Sequence, residues 1–179
     1  MRDHLPWLGQ GDIFTSVPIV DVTLTDAGAV QSTIIEGPAV LLTHDCDMDK
    51  PDSATGQPRI ERMQFAKLRA VDALPASYQR TLRTNRNNPG PFEALYLGDV
   101  ADLGECCVLL SDPYYIPSTY FIPTFGDYSD HPEGAAGARY TTIQLHDSRL
   151  GRLDEAQLIL LRRKMAAFWT RLDPGEPPS

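Results

Sequence analysis

The segment Gly37-Pro38-Ala39-Val40-Leu41-Leu42-Thr43 decides the fold. Its four consecutive apolar residues, 39–42, stand between a Gly-Pro break and a polar stretch, which is typical of a short β-strand buried on both faces. Upstream, residues 17–24 and 29–35 are mostly apolar or alternating, and the turn signal Asp26-Ala27-Gly28 separates them. This pattern predicts a β-hairpin, so the fold begins with antiparallel strands.

The rest of the chain continues this pattern and then changes to a helix. Further strand candidates are residues 63–71, 92–97, 106–110, 120–122 and 140–145, whereas residues 44–59 and 123–138 are predicted loops. Residues 74–84 predict a short inserted helix. The strongest helix is predicted at about 153–172, where apolar residues recur at spacings of three and four: Leu158, Leu161, Met165, Phe168 and Leu172.

These elements predict a mainly β fold with a C-terminal helix. We expect one domain over residues 1–179, with a small barrel at about 10–145 and the helix laid across it. Strands do not alternate with long helices, and no glycine-rich phosphate loop is present, which argues against a doubly wound α/β sheet.

Charge limits the classes of partner. The 179 residues carry 16 basic and 24 acidic side chains, a net charge of −8, which disfavours broad, sequence-independent nucleic-acid binding. Residues 61–86 are the exception, with six basic and two acidic residues. If this segment faces a groove, it offers an anion-binding surface; the alternative is a solvated face paired with the acidic segments.

Hydropathy and cysteine content bear on the cellular location of the protein. No apolar run approaches the roughly 18 residues that span a membrane, and the N-terminus lacks the pattern of a signal peptide. The three cysteines, Cys46, Cys106 and Cys107, are therefore expected to be reduced thiols in a cytoplasmic protein.

The chemically richest stretch follows the buried strand directly. Residues Thr43, His44, Asp45, Cys46 and Asp47 bring a hydroxyl, an imidazole, a thiol and two carboxylates to the rim of the core. If the chain stays extended, the residues at 43, 45 and 47 face one way and those at 44 and 46 the other. An acid–base role then needs partners such as Arg62, Arg69 or His146.

The sequence allows several interpretations of residues 43–47. Cys46 is a candidate nucleophile with His44 or His146 as its base, although the neighbouring aspartates raise the pKa of a thiol. A structural alternative is a capped turn with Cys46 buried.

The remaining interpretation of this stretch is a metal site. Asp45, Asp47 and Asp49 alternate as in a calcium loop, but Lys50 occupies the sixth position and Gly56 the twelfth. A soft-metal set of His44, Cys46 and Cys106 lacks paired Cys-x-x-Cys spacing. We therefore predict no metal and no cofactor.

The order of short motifs resembles the MazF/PemK-type toxin barrels. The resemblance rests on Gly11-Asp12-Ile13-Phe14, on segment 37–43, and on residues 147–153, which lead into the last helix. The chain is closer still to uncharacterised bacterial proteins with Thr-x-Asp-Cys-Asp after the buried strand, a resemblance that brings no known activity. It departs from the toxins at Gly37, where they have an arginine, and in the extra segments 44–59 and 74–91.

The toxin resemblance implies an SH3-like barrel, usually a homodimer, that cleaves RNA without a metal in a toxin–antitoxin or defence setting. RNA or a cognate antitoxin is then the expected partner, and the wide helical stripe with Trp169 also favours a homodimer. The catalytic candidates are Arg62 and Arg69 as phosphate clamps, His44 and Asp45 as an acid–base pair, and Thr43; Cys46 and Asp47 complete the wall. The alternative function is a non-catalytic module that binds a protein or small ligand, which the acidic surface and Gly37 favour.

Overall fold

Antiparallel strands form most of the fold in the computed structural model, which describes residues 8–26, 28–48, 59–87, 93–126, 137–141 and 148–170. The strands are β1 (Asp12–Leu24), β2 (Val30–Leu41), β3 (Arg62–Ala70), β4 (Ala94–Val100), β5 (Gly104–Pro117), β6 (Ile122–Gly126), β7 (Gly137–Thr141) and β8 (Arg149–Arg152). The helices are α1 (Asp45–Met48), α2 (Ala76–Asn85) and α3 (Glu155–Thr170), with 3₁₀ turns at Val71–Ala73 and Ser118–Tyr120.

Six strands form one sheet in the order β4-β5-β3-β2-β1-β8, and β6 and β7 form a separate hairpin. Every pair is antiparallel. Within the described ranges the edge strands β4 and β8 do not pair, so the sheet is open. The mainly β fold with a C-terminal helix is thus confirmed in its coarse form.

The prediction that residues 39–42 are buried on both faces is confirmed, but the predicted break at Gly37-Pro38 is wrong, because β2 continues through both residues. Residues 39–42 are at most 1% exposed. Val40 and Leu42 belong to the hydrophobic cluster that includes Leu161 of α3, whereas Ala39 and Leu41 belong to a second cluster around Phe65. Side chains alternate across a strand, so the two clusters lie on opposite faces of the sheet.

Two loop predictions are wrong in part. Residues 123–126 and 137–138 belong to β6 and β7, because these two segments pair with each other, for example Thr124 with Arg139 and Gly126 with Gly137, and composition does not reveal such a pairing. The predicted loop 44–59 begins with the helical turn α1, and residues 49–58 lie outside the described residues.

The C-terminal helix begins two residues later than predicted. Asp154 caps it: the backbone N–H of Gln157 donates to Oδ1 of Asp154 at 2.9 Å, and the N–H of Asp154 donates to the Gln157 side chain at 3.2 Å. This reciprocal pair satisfies two donors that a helix start leaves free. Leu172, at the predicted end, lies outside the described residues.

Candidate functional site

The end of β2 is fixed by hydrogen bonds to β3 and by a helical turn. Thr43 is 8% exposed, and its Oγ1 accepts a hydrogen bond from the backbone N–H of Gln64 at 2.7 Å. The N–H groups of Asp47 and Met48 donate to the carbonyl of His44, and buried Met48 anchors the turn. The prediction that residues 43–47 alternate between two faces is therefore wrong, because the chain is helical from Asp45 to Met48.

This turn brings His44 and Cys46 together. Nδ1 of His44 lies 2.9 Å from Sγ of Cys46, and the backbone N–H of Cys46 donates to the same Nδ1 at 3.2 Å. With Nδ1 accepting, the neutral imidazole carries its proton on Nε2. Both side chains are exposed, so the alternative in which Cys46 is buried is wrong.

Asp45 joins the turn to the N-terminal segment and to α3. Its Oδ1 accepts a hydrogen bond of 2.7 Å from the backbone N–H of Gln10, and its Oδ2 lies 4.0 Å from Nη2 of Arg162. Buried Gln10 donates from its side chain to the carbonyl of Leu42 at 2.8 Å and accepts from Nε of Arg162 at 2.7 Å. These bonds orient the Arg162 guanidinium at the end of β2.

A cleft of about 410 Å³ opens beside this network. Four of the predicted site residues line it: Thr43, His44, Asp47 and Arg62. It is also lined by Gln10, Leu42, Ile60, Gln64, Tyr115, Arg162 and Met165. Asp45 adjoins it through Arg162, whereas Cys46 is not among the lining residues.

Arg69, the other predicted phosphate clamp, does not line this cleft. It lines a second cavity of about 240 Å³ with Lys67, Gly37 and residues of the β1–β2 hairpin. Arg62 and Arg69 are seven positions apart on β3, a separation of roughly 23 Å at the rise of an extended strand. The structure therefore does not bring the two predicted phosphate clamps together. His146, the alternative base, lies outside the described residues.

The sequence analysis missed Arg162 and Tyr115 as cleft residues. Arg162 lies within the predicted C-terminal helix without a local motif around it, and Tyr115 lies between the predicted strands 106–110 and 120–122. Each reaches the cleft because of long-range packing: α3 runs past Gln10, and β5 pairs Tyr115 with Gln64. No local signal in one sequence reports such pairings.

The cleft combines two cations with an imidazole, a carboxylate and a phenol. Arg62, Arg162 and Tyr115 are exposed, and His44 and Asp47 also line the cleft. Arginine binds phosphate oxygens in a fixed, bidentate geometry, and an exposed aromatic ring offers a face for stacking. The arrangement suits an anionic ligand with a planar group.

The other thiols do not contribute to this site. Cys106 and Cys107 are buried, and burial raises the pKa of both, that of Cys107 to about 11. Cys106 belongs to the hydrophobic cluster of Val40, which separates it from the exposed pair at His44 and Cys46. Within the described part of the chain, no group of three or more His, Cys, Asp or Glu residues is arranged to hold a metal ion.

Comparisons with known proteins identify no relative: no protein-family model matches the chain, and no curated protein is significantly similar to it. None of the helices in the described ranges is both long and apolar enough to cross a membrane.

Proposed function

We propose that the cleft binds RNA and cleaves it without a metal, by attack of a ribose 2′-hydroxyl on the adjacent phosphate. The observation that carries this proposal is the presence of His44, Arg62 and Arg162 on one cleft. The motif resemblance to the toxin barrels supports it, and under this proposal the open sheet is an SH3-like barrel that is not fully closed.

The reaction needs two proton transfers. A base removes the 2′-hydroxyl proton, the 2′-oxygen forms a bond to phosphorus, the bond from phosphorus to the 5′-oxygen breaks, and an acid protonates that leaving oxygen. His44 and Asp47 supply an imidazole and a carboxylate to the cleft, and these are the candidate groups for the two proton transfers. Asp45, bonded to Gln10 and close to Arg162, orients the arginine instead of acting as the second acid–base group.

The negative charge of the phosphorane requires cations already in position. Arg62 and Arg162 supply them, and the hydrogen bond from Arg162 to Gln10 lowers the cost of ordering one guanidinium before the substrate arrives. Tyr115 is positioned to stack on a base next to the scissile phosphate. Because this positive charge is local, the overall charge of −8 favours few, specific contacts over broad RNA binding.

A cytoplasmic setting with a cognate antitoxin or another partner protein is part of this proposal. The second candidate is a non-catalytic module that uses the same cleft to bind an anionic ligand. It is favoured by Asp45 and Asp47, because two carboxylates beside the cations repel a polyanion such as RNA more strongly than a ligand with a single negative charge.

The test is incubation of the purified protein with a mixed RNA pool in the presence of a chelator. We expect fragments with 2′,3′-cyclic phosphate ends, and we expect His44→Ala to abolish them at an unchanged melting temperature. Cys46→Ser keeps His44 and is expected to retain cleavage, which distinguishes this reaction from thiol catalysis. RNA that binds but stays intact supports the non-catalytic module. If the RNA is neither bound nor cleaved, the proposed cleavage reaction is contradicted.

A further inference from the structure

The outer part of the β1–β2 hairpin, residues 18–36, extends beyond the sheet; we call it the arm. β8 pairs only with residues 12–14 of β1, and β3 pairs only with residues 39–41 of β2. The two strands of the arm pair with each other from Pro18 with Glu36 to Leu24 with Val30. In the described ranges, both outer edges of the arm are therefore unpaired.

One face of the arm is mainly aliphatic. Val20 lies opposite Ile34 and Leu24 opposite Val30, while Val22 between them lies opposite Ser32, and residues opposite each other in an antiparallel pair share a face. The five aliphatic residues, the aliphatic stripe, are 53–75% exposed. The other face carries polar side chains over the same length: Thr23, Gln31 and Thr33.

The stripe continues a face that is buried in the body of the protein. β2 runs without a bulge from Ile34 to Val40, six residues later, so both side chains point to the same side of the sheet. At Val40 this side is covered by α3, because Val40 and Leu161 share a hydrophobic cluster. α3 does not extend over Ile34, which is 71% exposed.

We propose that the stripe packs against the same stripe of a second copy of this chain about a twofold axis. An uncharged, mainly aliphatic surface is complementary to itself: none of the five stripe residues carries a charge, the Ser32 that lies among them is neutral, and the charged Glu36 of this face lies at the base of the arm, opposite Pro18. Each exposes on the order of 100 Å² of surface, so two arms would bury roughly 1,000 Å² of apolar area, close to what a specific dimer needs.

This dimer differs from the one expected from the helix stripe with Trp169, and it does not depend on the proposed RNA cleavage. The test is the mass by light scattering at low micromolar concentration, for the wild type and for two lysine pairs. Val22→Lys with Ile34→Lys alters the stripe, and Thr23→Lys with Thr33→Lys makes the equivalent change on the polar face. We expect twice the 19.8 kDa of one chain for the wild type and for the polar-face variant.

For the stripe variant we expect a monomer, with a dissociation constant raised about a hundredfold or more by four charged side chains in an apolar interface. If the lysine pair unfolds the arm, Val22→Thr with Ile34→Thr retains strand propensity and is expected to weaken the dimer in the same direction. A monomeric wild type overturns the proposal. So does a stripe variant that stays dimeric, or a polar-face variant that dissociates equally.

Discussion

The carboxylate of Asp12 in the first strand accepts a 2.7 Å hydrogen bond from Nε of Arg152 in the last strand, 140 residues later. Arg149 also contacts this carboxylate, at 3.4 Å, and the backbone N–H of Gly9 donates to it at 2.9 Å. All three charged side chains are at most 13% exposed. The aspartate of the Gly-Asp-Ile-Phe motif therefore has a structural role: it joins β1 to β8.

Asp12→Ala is expected to destabilise the protein by about 3–5 kcal/mol, because it leaves two guanidinium groups buried without their carboxylate. Denaturant unfolding measures this loss. The matched control is Asp112→Ala, which removes a carboxylate that is 60% exposed and pairs with Lys67. An exposed pair contributes at most about 1 kcal/mol, so equal losses in the two variants would contradict the prediction.

Leu161→Ala is expected to cost about 2–5 kcal/mol, because Leu161 is fully buried between α3 and the sheet and its truncation leaves a cavity. Ile159 lies on the same helix and is 42% exposed. Ile159→Ala should therefore cost well under half as much in the same unfolding experiment. A comparable loss for both residues would mean that α3 does not pack through the Leu161 face.

The parts of the fold that could be predicted from the sequence are those whose burial leaves a local pattern of apolar residues. The strand at 39–42 and the helix around Leu161 were predictable because burial imposes a local pattern of apolar residues. β8 was not, because Arg149–Arg152 is a four-residue strand without alternating hydrophobicity and forms by pairing with β1. The same distinction applies to the candidate site. His44 could be predicted because it directly follows a buried strand, whereas the approach of Arg162 and Tyr115 to the cleft depends on long-range pairing.

The three thiols should react very differently with a thiol reagent in the native protein. Cys46 is exposed, whereas Cys106 and Cys107 are buried with raised pKa values, so we expect modification of Cys46 alone near pH 8. Peptide mass spectrometry after brief alkylation identifies the site, and Cys46→Ser should abolish the fast reaction. Comparable labelling of Cys107 in the native state would contradict the burial of β5.

Glu105 predicts a pH-dependent contribution to stability. Hydrogen bonds from Arg83 and Tyr96 lower the pKa of its carboxyl to about 2. A carboxyl whose pKa is lowered on folding stabilises the folded state above its unfolded pKa, and this contribution is lost as the pH falls toward 2. The urea midpoint of the wild type should therefore exceed that of Glu105→Gln at pH 7, and the difference should shrink below pH 4. A difference that is independent of pH would contradict the ionic contact between α2 and β5.

The central claim is that the cleft of His44 and Arg62 acts on RNA, and two arginines of β3 test it most directly. The measurement is the rate constant for RNA cleavage in the presence of a chelator for Arg62→Ala and for Arg69→Ala. Loss of one cationic contact to the transition state lowers a rate constant about a hundredfold or more. The rate constant of Arg62→Ala should therefore fall by that factor, whereas that of Arg69→Ala should stay within a few-fold of the wild type. A large loss for Arg69→Ala with an unaffected Arg62→Ala would contradict the account and assign the chemistry to the cavity at the base of the arm.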